Sequence, residues 1–259
     1  MSTQFKLGKL PARPGAVKLS LDSYIDKSVV FPKVPTKVGH QSLLPKDLGM
    51  LGNDQYGDCV WAGAAHESML WNLEQGKVVN YDVKGVLSDY SAVTGFNPND
   101  PNSDQGTDMQ VAASYRRKTG ILASDGSRHQ IDAYLALTPG DVAELRMAIY
   151  LFGAVGIGVK VPTYWMDQFN AGKEWTYRPF AKFEGGHYIP AMASTSPKGA
   201  IQVATWGRLQ KMSARAYQHF NDESIAYVSL ERLGKDGKSI DGFDVAQLRA
   251  DLQAITSVD

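Results

Sequence analysis

One cysteine, Cys59, is all that 259 residues contain, so no intramolecular disulfide can form and the chain suits a reducing compartment. Cysteine pairs are missing, and no two of the five histidines stand four apart as helical metal ligands do, so neither a metal nor any other cofactor is expected. Charge of one sign is missing too: Lys plus Arg and Asp plus Glu each number 27. A chain without net charge has no field to capture nucleic acid or an anionic membrane surface, and neither is expected as a partner. Basic clusters such as Arg116-Arg117-Lys118 read as the solvated end of a helix, where cations complement the dipole. Charged, Gly or Pro residues break every apolar run short of bilayer length, and residues 1–11 lack the apolar core of a signal peptide. The protein is therefore expected in the cytoplasm.

What is present centres on that one sulfur. Cys59 heads a predicted helix, where the positive end of the macrodipole favours thiolate over thiol. An unpaired cysteine among alanines is ordinarily a small buried hydrophobe, but its surroundings give this one a chemical context. Asn53 lies six residues earlier on a Gly-bounded loop, where its amide is a candidate donor to a developing oxyanion. Gly57 permits a tight turn and Asp58 is a candidate N-cap. Of the histidines, His187 begins a predicted strand behind Gly185 and Gly186, two residues that let a substrate backbone approach the imidazole. His66 shares the helical stripe of Cys59 but lies about 10 Å away along the axis, too far to activate it. His40, His129 and His219 sit in loop-like or polar surroundings and read as surface residues.

The length suits one large domain or two lobes sharing an interface. Residues 1–50, rich in Pro, Lys and Gly, read as an extended N-terminal arm. Its segment 5–25 is a candidate to tie the lobes together, to cover the cleft or to hold a protein partner, the tie being the simplest reading. Residues 51–135 are expected to form a helical lobe, with helices over 59–74 and 107–119, the second capped by Thr107 and stopped by Gly120. The loop 96–103 bears Asp and Asn but lacks an alternating calcium-ligand pattern and reads as surface turns. Residues 136–259 are expected to form a β-rich lobe. There Thr138 reads as N-cap, Pro139 as the first helical residue and Asp141 as a capping acid of a helix that Gly153 ends, 154–161 alternates as a strand, and further strands follow at 187–194, 200–206 and 224–230. Val245, Leu248, Leu252 and Ile255 recur at helical spacing and predict a terminal helix.

In this order of motifs the sequence resembles the papain-like cysteine peptidases over most of its length. The helix opening Cys59-Val60-Trp61-Ala62, the segment Asp104-Gln105-Gly106-Thr107 running on to Gly120-Ile121, the strand with His187, and the strand ending Thr205-Trp206-Gly207 follow the family in sequence. The resemblance implies an α+β fold of two lobes, helical then β-rich, with Cys59 as nucleophile and His187 as base on opposite walls of a cleft. It also implies Asn53 in the oxyanion-hole position with Gln55 as the nearby substitute, Gly106 at the substrate cleft, and Trp206 as a shield over the imidazole. Three departures stand out. The family's third catalytic residue, an Asn, falls on Ala204, so its role in orienting His187 is vacant or taken by Thr205 or a main-chain carbonyl. The family's paired cysteines are absent, and Val60 stands where an aromatic often follows the nucleophile.

The expected activity is peptide or amide hydrolysis through a Cys-His dyad and a thioester, with a peptide or protein as substrate. A papain-fold protein of reduced activity, serving as a binding or structural component of a larger assembly, is the alternative from another class. An acyltransferase using the same pair is third.

Overall fold

The computed structural model describes residues 5–25, 33–232 and 250 of the chain. Residues 59–74 are apolar around almost the whole circumference, and a helix of that composition has to be buried on every side. It becomes the central helix. Around it the elements follow in the order α1 (Asp22–Ile25), β1 (Val38–Gly39), α2 (Cys59–Glu74), α3 (Val83–Thr94), α4 (Met109–Lys118), β2 (Ile121–Leu122), β3 (Arg128–His129) and β4 (Ile131–Leu137). The second half continues with α5 (Val142–Phe152), β5 (Val155–Pro162), α6 (Tyr164–Asn170), β6 (Phe183–Ser194), β7 (Ile201–Thr205), β8 (Arg208–Met212), α7 (Ala214–Phe220) and β9 (Asn221–Ser229).

One antiparallel sheet in the order β4-β9-β5-β6-β7-β8 organises the molecule, with β1 added alongside β6. Side chains alternate across it as a strand requires. Tyr188 and Met192 of β6 join the apolar cluster built on α2, α3 and α4, while Ile189 and Ala191 join the cluster under α5, α6 and α7. The two cores make an α+β molecule of two lobes, with α2 laid against β6. Their close approach depends on Gly63, because a Cβ there would come within 2.5 Å of the Tyr188 ring.

Two cap assignments from sequence shift by a few residues. The helix after Gly106 starts at Met109, and its N-cap is Asp108, which accepts from the Val111 amide. Thr107 is occupied otherwise, its hydroxyl accepting from the Trp61 indole at 2.9 Å. The helix expected from Thr138 starts at Val142, because Gly140 takes a φ of +77° and breaks the helical path; Asp141 accepts from Ala143 and Glu144 and is the cap. The aromatic stretch before β6 is interior packing. Trp165 and Trp175 stack face to face at 4.5 Å, both fully buried. The terminal helix expected at 245–255 falls, apart from residue 250, outside the described residues.

Candidate active site

Cys59 is the first residue of α2, entered through the turn 51–58, and is buried. Asp58 occupies the cap position, yet its carboxyl makes no capping bond and is itself buried; desolvation holds its pKa well above the ordinary carboxylate range. His187 lies on β6 opposite Val159. The residue after it reaches the sulfur, the Tyr188 amide donating to Cys59 Sγ at 3.4 Å. Tyr188 is in turn held from below, its hydroxyl donating to Glu67 at 2.7 Å, and Glu67 pairs with the buried Arg116 at 2.6 Å.

The imidazole is fixed on two sides. Nε2 lies 2.8 Å from the Thr205 hydroxyl, and the ring stacks on Trp206 at 4.6 Å with 19° between planes. Thr205 thus stands at the imidazole where Ala204 offers nothing. With the hydroxyl accepting from Nε2–H, the lone pair rests on Nδ1, which has no hydrogen-bond partner among the described residues. Burial lowers the imidazole pKa to about 3. Burial likewise raises the thiol to about 12, against the pull of backbone amides at Tyr188 and Gly8. Both groups are therefore neutral at pH 7, and no hydrogen bond joins the thiol to the imidazole in this closed form.

The N-terminal arm packs over this site. Phe5 stacks on Trp206 at 4.9 Å and meets Phe169 edge-on, and the Lys6 carbonyl accepts from Trp206 Nε1 at 3.4 Å and from Asn53 Nδ2 at 3.5 Å. Farther on, the Thr107 amide donates to the Gly8 carbonyl at 2.7 Å, the Leu10 amide to the Thr107 carbonyl at 3.1 Å, and the Lys9 amide to the Gly186 carbonyl at 3.1 Å. Residues 5–10 thus run through the cleft, bonded to both walls, and they cover the sulfur as well as bridging across it. The fit requires glycine: a Cβ at Gly8 would lie 1.8 Å from the Gly57 carbonyl oxygen, and one at Gly106 would lie 2.2 Å from the Gly8 oxygen.

Of the other sequence candidates, Asn53 is buried and also donates to the Tyr56 carbonyl at 3.0 Å, Gly185 lies against Leu7, and Gln55 is exposed beside Asp54, away from the sulfur. His66 bonds the Leu48 and Gly49 carbonyls at 3.1 Å and serves the turn. Sequence reasoning missed the tie that holds the thiol turn to the Gly106 loop. Asp104 accepts from the Gly57 amide at 3.0 Å and from Tyr90 at 2.7 Å, and Tyr90 accepts from the Gly106 amide at 2.9 Å. The signal available was Asp104 itself, an acid placed two residues before the cleft glycine.

No family model matches the sequence, and no curated protein does. Solved structures do match, and they give the chain the two-lobe fold of the papain-like cysteine proteases. It is similar to xylellain, a cysteine protease from Xylella fastidiosa, with 12% identity over 89% of this chain and 98% of that one and a TM-score of 0.60. The digestive procathepsin L 3 of Tenebrio molitor larval midgut matches at 14% identity over 88% of this chain and 76% of that one, TM-score 0.58. Procathepsin B S9 from Trypanosoma congolense matches at 13% identity over 86% of both chains, TM-score 0.58.

Proposed function

We propose that the protein is a cysteine peptidase or amidase acting through Cys59 and His187 on a peptide or protein substrate, closed in this form by its own arm. The observation that carries the reading is the imidazole held by Thr205 and Trp206 with a free Nδ1, one residue from the amide that bonds the Cys59 sulfur. The cysteine proteases that share its fold support it.

With the arm displaced, the thiol proton passes to His187 and the thiolate attacks the carbonyl carbon of the substrate. The oxyanion of the tetrahedral adduct accepts from the Cys59 amide and from Asn53 Nδ2, which already donates to an arm carbonyl. His187 returns its proton to the amine as the C–N bond breaks, leaving a thioester and a free amine. Water then attacks the thioester, His187 taking its proton, and the products are a carboxylic acid and the regenerated thiol. Trp206 covers the imidazole throughout and keeps its bond to Thr205 dry.

The test is hydrolysis of a fluorogenic peptide mixture by the full chain and by its Cys59→Ala and His187→Ala variants, each also with the arm loosened by Phe5→Ala. Turnover lost in both active-site variants supports the reading. A loosened chain that binds the peptides but turns none over would give the binding-protein alternative the lead.

A further inference from the structure

Lys9 is a lysine in an arm, yet its side chain is fully buried. Burying an ammonium is costly unless it is paired, and this one is paired several times over. Nζ lies 3.0 Å from Asp222 Oδ1, 3.2 Å from Asp222 Oδ2 and 3.0 Å from Glu223 Oε1, and it donates to the Leu10 carbonyl at 2.9 Å. The pocket is shaped for the methylene stem as well, since a Cβ at Gly158 would lie 2.1 Å from Lys9 Cε.

Consecutive residues of a regular strand point to opposite faces, so Asp222 and Glu223 would not ordinarily meet one cation. They do so because β9 bulges here. Its register against β5 steps from Glu223 opposite Gly158 to Asn221 opposite Val159, leaving Asp222 as the extra residue. Asn221 secures the bulge, its amide donating to the Gly158 and Glu223 carbonyls at 2.7 Å each. The backbone of the occupant is held in the cleft itself: the Lys9 amide bonds Gly186, next to His187, and Lys9 bridges Thr107 on the other wall. Its neighbour Gly8 lies against the turn that leads to the sulfur, where a Cβ would stand 1.8 Å from the carbonyl oxygen of Gly57, two residues before Cys59.

We propose that the pocket filled by Lys9 is the recognition pocket for a basic side chain, lysine or arginine, of a peptide lying in the cleft, one residue removed from the residue over Cys59. The proposal depends on the hydrolase reading only for what that peptide is there to undergo. When the arm leaves, two part-buried carboxylates face each other with no cation between them, and like charges so close repel. A basic side chain relieves this, while a neutral one leaves it and an acidic one aggravates it, so the pocket selects by repulsion as well as attraction. Lys9 is then the internal occupant that a basic substrate displaces.

The experiment uses the full chain carrying Lys9→Ala, with Lys9→Met as the isosteric neutral control, and n-butylammonium chloride as the probe for the vacated site. Lys9→Ala is expected to raise the rate of Cys59 alkylation and to lower the thermal midpoint. Millimolar n-butylammonium should restore both, n-butanol should not, and adding Asp222→Asn with Glu223→Gln should abolish the restoration. In the same Lys9→Ala chain, a peptide amide with lysine at the pocket position should exceed its norleucine counterpart in kcat/KM by at least about tenfold. Restoration without turnover of any peptide keeps the cation pocket and removes the hydrolase reading. Turnover without a basic preference, or restoration equal with n-butanol, overturns the proposal.

Discussion

Replacing Gly8 by alanine is the smallest change that should open the cleft. The added Cβ would stand 1.8 Å from the Gly57 oxygen, 2.3 Å from its carbonyl carbon and 2.5 Å from its Cα, all backbone atoms. Gly57 has no freedom to retreat, because its amide is bonded to Asp104 on one side and Cys59 follows two residues later. Residues 5–10 must therefore leave. The thiol then relaxes from about 12 toward its ordinary 9.0, which at a fixed neutral pH raises the thiolate fraction by about a thousandfold. Nucleophilicity falls as the pKa falls, by about half a decade per unit, so the net gain in alkylation rate is about thirtyfold before any gain in access. The assay is iodoacetamide labelling followed by intact mass, unambiguous because the chain has one cysteine. Wild type in urea supplies the rate of an unstructured thiol. A folded Gly8→Ala chain that labels no faster than wild type would refute the claim that the arm seals the sulfur. A wild type labelling at the urea rate would refute the buried thiol itself.

The parts of this site that were legible in the sequence are those set by local chemistry and by order along the chain. Cys59 does begin its helix at the expected residue, Gly153 does end α5, and β6 and β7 do bring His187 beside Thr205 and Trp206. The caps at 107 and 138 were misread because a neighbouring aspartate reaches the free amides better, a competition that residue type alone leaves open. Lys9 was illegible for a different reason. Its partners lie more than two hundred positions away, and a lysine among Pro and Gly reads as solvated until the strand bulge that receives it is seen. Arg116 likewise reads as part of the solvated end of a helix, although it is buried and closes on Glu67 beneath Tyr188. Long-range polar pairs of this kind carry no periodic signature.

Four further outcomes follow from the same geometry, each measured in the arm-loosened chain where activity is concerned. Asn53→Ala should lower kcat by about a hundredfold, and because Asn53 also holds the Tyr56 carbonyl it should cost about 1 kcal/mol in urea unfolding; a stability loss without a kcat loss would confine it to the turn. Thr205→Val should slow alkylation at neutral pH by about tenfold while Thr205→Ser preserves it, and equal rates in all three would mean the hydroxyl does not orient the imidazole. Gly63→Ala, with its Cβ 2.5 Å from the Tyr188 ring, should destabilise by about 1–3 kcal/mol, checked by thermal unfolding, and an unchanged midpoint would contradict the contact. The last outcome concerns acid. His187 is depressed to about 3 in the closed fold from an ordinary 6.5, so the unfolded chain binds the extra proton between these values. Stability from this group is complete above pH 6.5 and falls as pH drops toward 3, by up to about 1.4 kcal/mol per unit. Asp58 works in the opposite sense, since its raised pKa lets the folded chain take the proton first and so favours the fold in acid. The two are separated by subtraction: His187→Gln keeps Asp58 and loses only the imidazole. Between pH 7 and pH 5 wild type should therefore lose more of its thermal midpoint than His187→Gln does. Parallel losses in the two chains would show that the imidazole is not buried in its neutral form, and with that the closed state of the cleft would fall.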